Sequence, residues 1–221
     1  NECNIKEIAL VRGYRKEAIT LPNIRYYDND RYEETGELYS LFCAERELQG
    51  RCLILYGDII FDTVLLEKLL KSPADMTLVV DLAWSERDRQ RTFRPPTRPD
   101  LVILDQPPGA TYRYVPPDEP GRVLRIGQDV PQDQAHAEFI GLAMFSEKGT
   151  AAFKQAYTTA RERSQGRAFH EAPRFLAASF TDMVQDLIDQ GHEVRCVPTF
   201  KGWMDVDSFE DYQKAWAKLS K

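Results

Sequence analysis

The chain has 221 residues, a formal charge of −6 and a hydrophobic content of 43%. That length and apolar content suit one sizeable folded domain and exclude a disordered chain. Its apolar runs are too short to span a bilayer, and its scattered basic residues leave no electrostatic footprint for nucleic acid or an anionic membrane.

In chain order, the first apolar run is "IALV" (Ile8 to Val11), followed by "CLILY" (Cys52 to Tyr56), "MTLVV" (Met76 to Val80) and "LVIL" (Leu101 to Leu104). Such short, β-rich runs predict strands covered on both faces. Between the first two, Leu38, Leu41, Phe42 and Leu48 recur at helical spacing, with Thr35 placed to cap the start and Gly50 to end the helix. A second helix is expected after Asp62-Thr63, with Val64, Leu65, Leu69 and Leu70 on one face. Strand, helix, strand, helix, strand predicts an α/β fold: a mixed, mostly parallel sheet flanked by helices.

Residues 91–127 break this rhythm. "RTFRPPTRPD" (Arg91 to Asp100) is rich in proline and arginine, as loops are, and "YRYVPPDEPGRVLRIG" (Tyr112 to Gly127) reads as a hairpin around a Pro/Gly turn at a sheet edge. "EFIGLAMF" (Glu138 to Phe145) then predicts a buried strand. Helices are expected from Glu147 to about Ser164 and from Phe175 to about Gln190, and "EVRCVPTF" (Glu193 to Phe200) predicts a further strand. No linker divides the chain, so residues 1–221 are expected to form a single domain, with 91–127 an excursion from it. Cys3, Cys43, Cys52 and Cys196 show neither metal spacing nor a disulfide framework, which fits a reducing cytoplasm.

The acidic residues carry the chemistry. In "GWMDVDSFEDYQKA" (Gly202 to Ala215), Asp205 and Asp207 alternate, so on a strand both would project to one face. A helix is expected immediately afterwards, with Ser208 as cap, Asp211 three residues on, and Phe209, Tyr212, Trp216 and Leu219 as an apolar stripe. Helix capping therefore competes with metal binding as the role of Asp207 and Ser208. In "LILYGDIIFD" a strand runs into Gly57-Asp58, at the carboxyl edge where open α/β sheets bind ligands, and the glycine leaves room for close approach. If both segments reach one rim, three carboxylates converge, an all-oxygen set suited to Mg²⁺ with water and substrate phosphates completing its shell.

Six segments in this order, "VRGYRKEAI", "DNDRYEETGELYSL", "YGDIIF", "VDLAW", "EFIGL" and "GWMDVDSFEDYQKA", resemble the cytidylyltransferases that activate small phosphonates or phosphocholine. The closest likeness is to the branch associated with phosphoenolpyruvate mutase in phosphonate biosynthesis. The resemblance spans nearly the whole chain and implies a nucleotide-diphospho-sugar transferase fold. It also implies CTP as co-substrate, Mg²⁺ as cofactor, and transfer of CMP to a phosphonate with release of pyrophosphate. By position it implies Asp58, Asp205 and Asp207 as the metal-binding, catalytic carboxylates. Thr35, Gly36, Ser40 and Gly57 fall near the nucleotide. Asp81, Trp84, Glu138 and Trp203 fall near the acceptor, where packing or an ordinary hydrogen bond is the competing role. An amine-bearing acceptor such as 2-aminoethylphosphonate would suit a carboxylate and aromatic wall; hydroxymethylphosphonate remains open.

The family's first strand and its Gly- and Arg-rich phosphate loop are expected upstream of Asn1, and the chain as given is expected to turn over poorly without them. Ala137 stands where the family often has glycine. Arg12, Arg15, Lys16 and Lys201 are candidates to steer phosphates, whereas His136, His170 and His192 suggest no catalytic arrangement. A phosphonate is already ionised at neutral pH, so no side-chain base is required. The expected partners are small molecules, with a homo-oligomer or fusion to another phosphonate enzyme left open. The competing functions are a sugar-1-phosphate nucleotidyltransferase, a glycosyltransferase using "DVD", and a non-catalytic nucleotide-binding or assembly module.

Overall fold

The computed structural model describes residue 3 and residues 5–86, 98–106 and 121–219. Much of the 91–127 excursion lies outside the described residues. Contacts group the chain into two units, 1–52 with 147–191 and 53–146 with 192–221. Each is assembled from two separate stretches, so no single linker marks the division that the sequence reading left out.

The first unit opens with β1 (Ala9–Arg12), which pairs in parallel with β2 (Arg25–Asp28) as a separate two-stranded sheet. Helix α1 (Glu37–Cys43) follows and is shorter than the apolar spacing predicts, because a 3-10 turn at Glu45–Glu47 takes up its second half. Its N-cap is Gly36 rather than Thr35. The unit is completed by α3 (Glu147–Arg163) and α4 (Phe180–Asp189). The helix expected from Phe175 instead begins as a 3-10 turn, and the true α-helix starts at Phe180 after its N-cap Ser179, whose side chain closes a capping box with Asp182. Phe42 stacks on Phe153 and Tyr157, and Phe153 meets Phe180, so aromatic rings join α1, α3 and α4.

The second unit is built on a six-stranded sheet in the order β3 (Cys52–Leu55), β8 (Ala137–Phe145), β5 (Met76–Asp81), β9 (Arg195–Thr199), β7 (Gly121–Gly127), β6 (Leu101–Leu104). Strands β5 and β8 are buried along their whole lengths, which is why they read as unbroken apolar runs. The sheet is mixed, as expected, but its weighting toward parallel pairs is not. Only β5 with β9 runs parallel among the pairs with described register, because β8 enters antiparallel beside β5 and the excursion contributes antiparallel β6 and β7. Strand β6 also pairs with β8, so β8, β5, β9, β7 and β6 form a closed circuit.

Helix α2 (Thr63–Leu70) seals one face of this sheet. Leu65 and Leu69 pack with Val79, Ile140, Leu142, Met144 and Val197, each fully buried aliphatic side chain contributing roughly 1.5–3 kcal/mol. Val64 points outward at 55% exposure, contrary to its assignment to the buried face. Strand β10 (Trp203–Asp205) pairs antiparallel with β4 (Ile59–Phe61), and α5 (Phe209–Leu219) closes the chain. The apolar stripe of α5 is exposed: Phe209 74%, Tyr212 50%, Trp216 64% and Leu219 67%, with Ala215 the buried residue of the helix. Among the described residues no helix is long and apolar enough to cross a membrane.

Candidate active site

The carboxyl end of β3 is set by a glycine on the neighbouring strand, far along the chain. Gly141 on β8 has φ +80°, and a Cβ there would lie 2.7 Å from Tyr56 Cδ2. Only glycine fits that left-handed backbone beneath the ring. The Tyr56 amide donates to the Gly141 carbonyl at 2.9 Å, fixing the strand end that leads into Gly57-Asp58. Among the described residues nothing lies within 4 Å of where a Gly57 Cβ would sit, and Asp58 is exposed, so this corner has room for a ligand.

The second acidic segment lies beside it. Asp205 is in register with Ile59, and the Val206 amide donates to the Asp58 carbonyl at 2.9 Å. The two segments thus meet through their backbones at one edge of the β4–β10 ladder. The strand ends at Asp205, so the alternation that aligned Asp205 with Asp207 does not extend to Asp207, which is exposed in the link to α5. Ser208 takes the capping role: its Oγ accepts the Asp211 amide at 3.2 Å and donates to Asp211 Oδ2 at 2.6 Å. Lys218 Nζ, 2.9 Å from Asp62 Oδ1, ties the far end of α5 to the start of α2.

Among the described residues no three His, Cys, Asp or Glu side chains gather closely enough to hold a metal ion alone. The segments present carboxylates in the turn just before β4, at the end of β10 and just beyond it, a hard-oxygen set. This donor set fits Mg²⁺ held by one or two carboxylates and completed by water and phosphates, rather than a closed protein cage.

Asp81, placed near the acceptor by resemblance, has a different setting. It ends β5 at 1% exposure. Its Oδ1 accepts the Ala83 amide at 2.8 Å and the Lys201 amide at 3.4 Å, and its Oδ2 accepts the Trp203 indole N–H at 2.9 Å. A carboxylate so engaged is turned to its own protein. Trp203 packs on the α2 cluster as well as bonding Asp81. Glu138 is 7% exposed within β8, in register with Asp81 on one side and Leu101 on the other. Trp84 is 7% exposed and packs with Leu101 and Val130. Beside Trp84, just past the end of β5, a groove of about 520 Å³ is lined by Ser85, Gln132, Asp133 and His136 among others. The sequence reading missed it because half its wall comes from the loop before β8. His136 Nδ1 lies 3.0 Å from the Leu104 amide and accepts from it, which puts the proton of the neutral ring on Nε2.

In the first unit, Thr35, Gly36 and Ser40 are likewise bound up in structure. Asn29, 2% exposed, donates through Nδ2 to Thr35 Oγ1 and Ser40 Oγ, both at 2.9 Å, and its Oδ1 accepts the Arg31 amide at 3.0 Å. The Gly36 and Leu38 amides donate to the Leu176 and Ala178 carbonyls at 2.8 and 3.2 Å. A Cβ on Gly36 would lie 2.3 Å from the Ala178 oxygen, so close backbone packing explains this glycine. The amides at the start of α1 therefore serve the unit itself. Arg12 is held by Asp28 and the carbonyls of Lys16 and Ile19, and Lys16 pairs with Asp28 and Asp30. Neither is a free phosphate ligand in this arrangement.

This architecture is the nucleotide-diphospho-sugar transferase fold, an α/β mixed sheet with flanking helices. The inositol-1-phosphate CTP transferase of T. maritima superposes with a TM-score of 0.65 at 16% identity, covering 98% of this chain and 76% of that one. The CTP:phosphocholine cytidylyltransferase of Streptococcus pneumoniae gives 0.60 at 18% identity, covering 99% and 80%. In sequence, a CTP:phosphoglutamine cytidylyltransferase of Campylobacter jejuni is 21% identical over 222 aligned positions, 95% of this chain and 80% of that protein. No family model matches the chain.

Proposed function

We propose that the chain is a CTP-dependent cytidylyltransferase that joins CMP to a small phosphorylated or phosphonate acceptor and releases pyrophosphate. The observation that carries this reading is the meeting of the two acidic segments, Val206 on Asp58 and Asp205 beside Ile59, at the edge of a nucleotide-diphospho-sugar transferase fold. Similarity to proteins named for CTP and for phosphoglutamine, inositol-1-phosphate or phosphocholine supports the nucleotide and a small phosphate-bearing acceptor. The finer assignment, a phosphonate of the 2-aminoethylphosphonate or hydroxymethylphosphonate type, rests on the six segments in register.

In the reaction, an ionised acceptor oxygen attacks the α-phosphorus of CTP in line, the bond to the β-phosphate oxygen breaks, and pyrophosphate leaves on the opposite side. Asp58 and Asp205, with Asp207 close in sequence, would hold Mg²⁺, which would offset charge developing on the phosphates. Gly57 leaves the corner uncrowded, and the groove beside Trp84 and Asp133 receives the acceptor's remote end. The setting is a cytoplasmic one, where CTP and Mg²⁺ are available.

The test is pyrophosphate release with CTP or UTP across small phosphonates, phosphocholine, phosphoglutamine and sugar-1-phosphates, on this chain and on one extended upstream. Release with CTP and one acceptor establishes the activity and names the substrate. Release with UTP and a sugar-1-phosphate replaces it with the rival transferase, and silence from both chains leaves a non-catalytic module. Asp58→Ala is expected to lower turnover by at least a thousandfold while circular dichroism and melting temperature stay near wild type; an active variant removes Asp58 from the chemistry.

A further inference from the structure

Between β9 and β10 the chain reverses through Lys201 and Gly202, both with left-handed backbone, at φ 73° and 85°. Lysine in that region is strained, and such strain persists only where surrounding contacts over-determine it. Those contacts are present. Thr199 Oγ1 donates to the Lys201 carbonyl at 2.7 Å, the Leu82 amide donates to the Thr199 carbonyl at 2.9 Å, and the Asp62 amide donates to the Gly202 carbonyl at 2.8 Å. At the centre sits the buried Asp81 carboxylate, one oxygen facing the Lys201 and Ala83 amides and the other taking the Trp203 indole.

Trp203 is the first residue of β10 and Asp205 the last. With a strand this short, the position of its last residue follows from what fixes its first. A three-residue ladder between β4 and β10 can slip in register unless something outside it sets the register. The indole bond is placed to do so, because it ties Trp203 to the fully buried strand β5.

We propose that Asp81 and Trp203 form a positioning pair, which sets the register of β10 and so holds Asp205 against the Asp58 segment. They act through the strand and touch no substrate. The inference rests on the cytidylyltransferase reading for its functional consequence, and on the hydrogen bonds alone for its structural one. It replaces an acceptor-binding role for both residues with a role in metal-site geometry.

The experiment compares wild type with Trp203→Phe, which keeps the packing and removes the N–H, with Asp81→Asn, and with the double variant. The first readout, without nucleotide or metal, is amide hydrogen exchange at Val206, whose N–H bonds the Asp58 carbonyl. The second is pyrophosphate release against Mg²⁺ concentration. Trp203→Phe is expected to exchange Val206 at least tenfold faster and to need about tenfold more Mg²⁺ for half-maximal rate. KM for the acceptor should stay within twofold, and the double variant should be no worse than the poorer single, since one shared bond is lost in both. Unchanged Val206 exchange in folded Trp203→Phe overturns the pair, as does a loss expressed only in acceptor KM. Should Asp81→Asn not fold, Trp203→Phe decides alone. A wild type that releases no pyrophosphate even when extended upstream sinks the cytidylyltransferase reading, while the exchange experiment still decides for or against the positioning.

Discussion

Asn29 shows how much one buried amide can organise. Its side chain binds two hydroxyls and one amide, fixing the run from Arg31 to Ser40 that leads into α1. Asn29→Ala is expected to cost about 2 kcal/mol, the scale of a few modest hydrogen bonds partly recovered by water, and urea denaturation would read it. The sequence marked Thr35 and Ser40 but passed over Asn29, because a lone asparagine between two aspartates reads as turn composition and nothing in periodicity reports burial. The same limit applies to Asp81. Its strand-end position was legible, but which way its carboxylate turned depended on Trp203, 122 residues later, and no local pattern encodes that bond.

Among the elements, β5 and β8 were legible because strands buried on both faces leave continuous apolar runs. Helix α5 was legible as an amphipathic helix, yet its stripe is exposed, because periodicity shows which side chains share a face and not what covers it. The Gly141 contact in β8 gives a sharp prediction. Gly141→Ala adds a left-handed strain to a clash with the Tyr56 ring, together about 3 kcal/mol, and a lowered urea midpoint should accompany reduced turnover as the end of β3 shifts. At the end of α4 the elements respond to pH. His170, whose backbone has φ 49°, hydrogen-bonds the buried Asp186 at 3.2 Å and lies 4.0 Å from Asp189. That bond to Asp186 raises the His170 pKa, with Asp189 and Asp182 adding to it. Burial alone would raise the Asp186 carboxyl, but His170 and Arg163 outweigh it and hold the group below its ordinary value.

The signs follow from linkage. The raised His170 pKa contributes stability that is complete below the unfolded value near 6.5 and is lost as pH rises through the folded one. The depressed Asp186 pKa contributes stability present above 3.8 and lost as pH falls through its folded value. Wild type should therefore lose stability in urea as pH rises above about 6.5 and through the raised His170 value. His170→Asn, which tolerates left-handed backbone, should flatten that slope; an unchanged slope would assign it to other groups.

For the molecule as a whole, the α/β architecture was the most legible feature, because alternating strands and helices restrict the topologies available. The two-unit grouping was not, since each unit takes two separate stretches of chain and leaves no linker in the sequence. The acidic segments were found by residue type, whereas their meeting depended on the β4–β10 pairing between residues more than 140 apart. Cytidylyl transfer to a small phosphorus-bearing acceptor is tested by phosphorus-31 NMR of the chain, extended upstream, with CTP, Mg²⁺ and 2-aminoethylphosphonate. Two mutually coupled resonances from a new anhydride joining CMP to the phosphonate are expected, together with pyrophosphate, both missing for Asp58→Ala. CTP and phosphonate signals that persist unchanged, with this acceptor and with phosphocholine, phosphoglutamine and hydroxymethylphosphonate in turn, would contradict it.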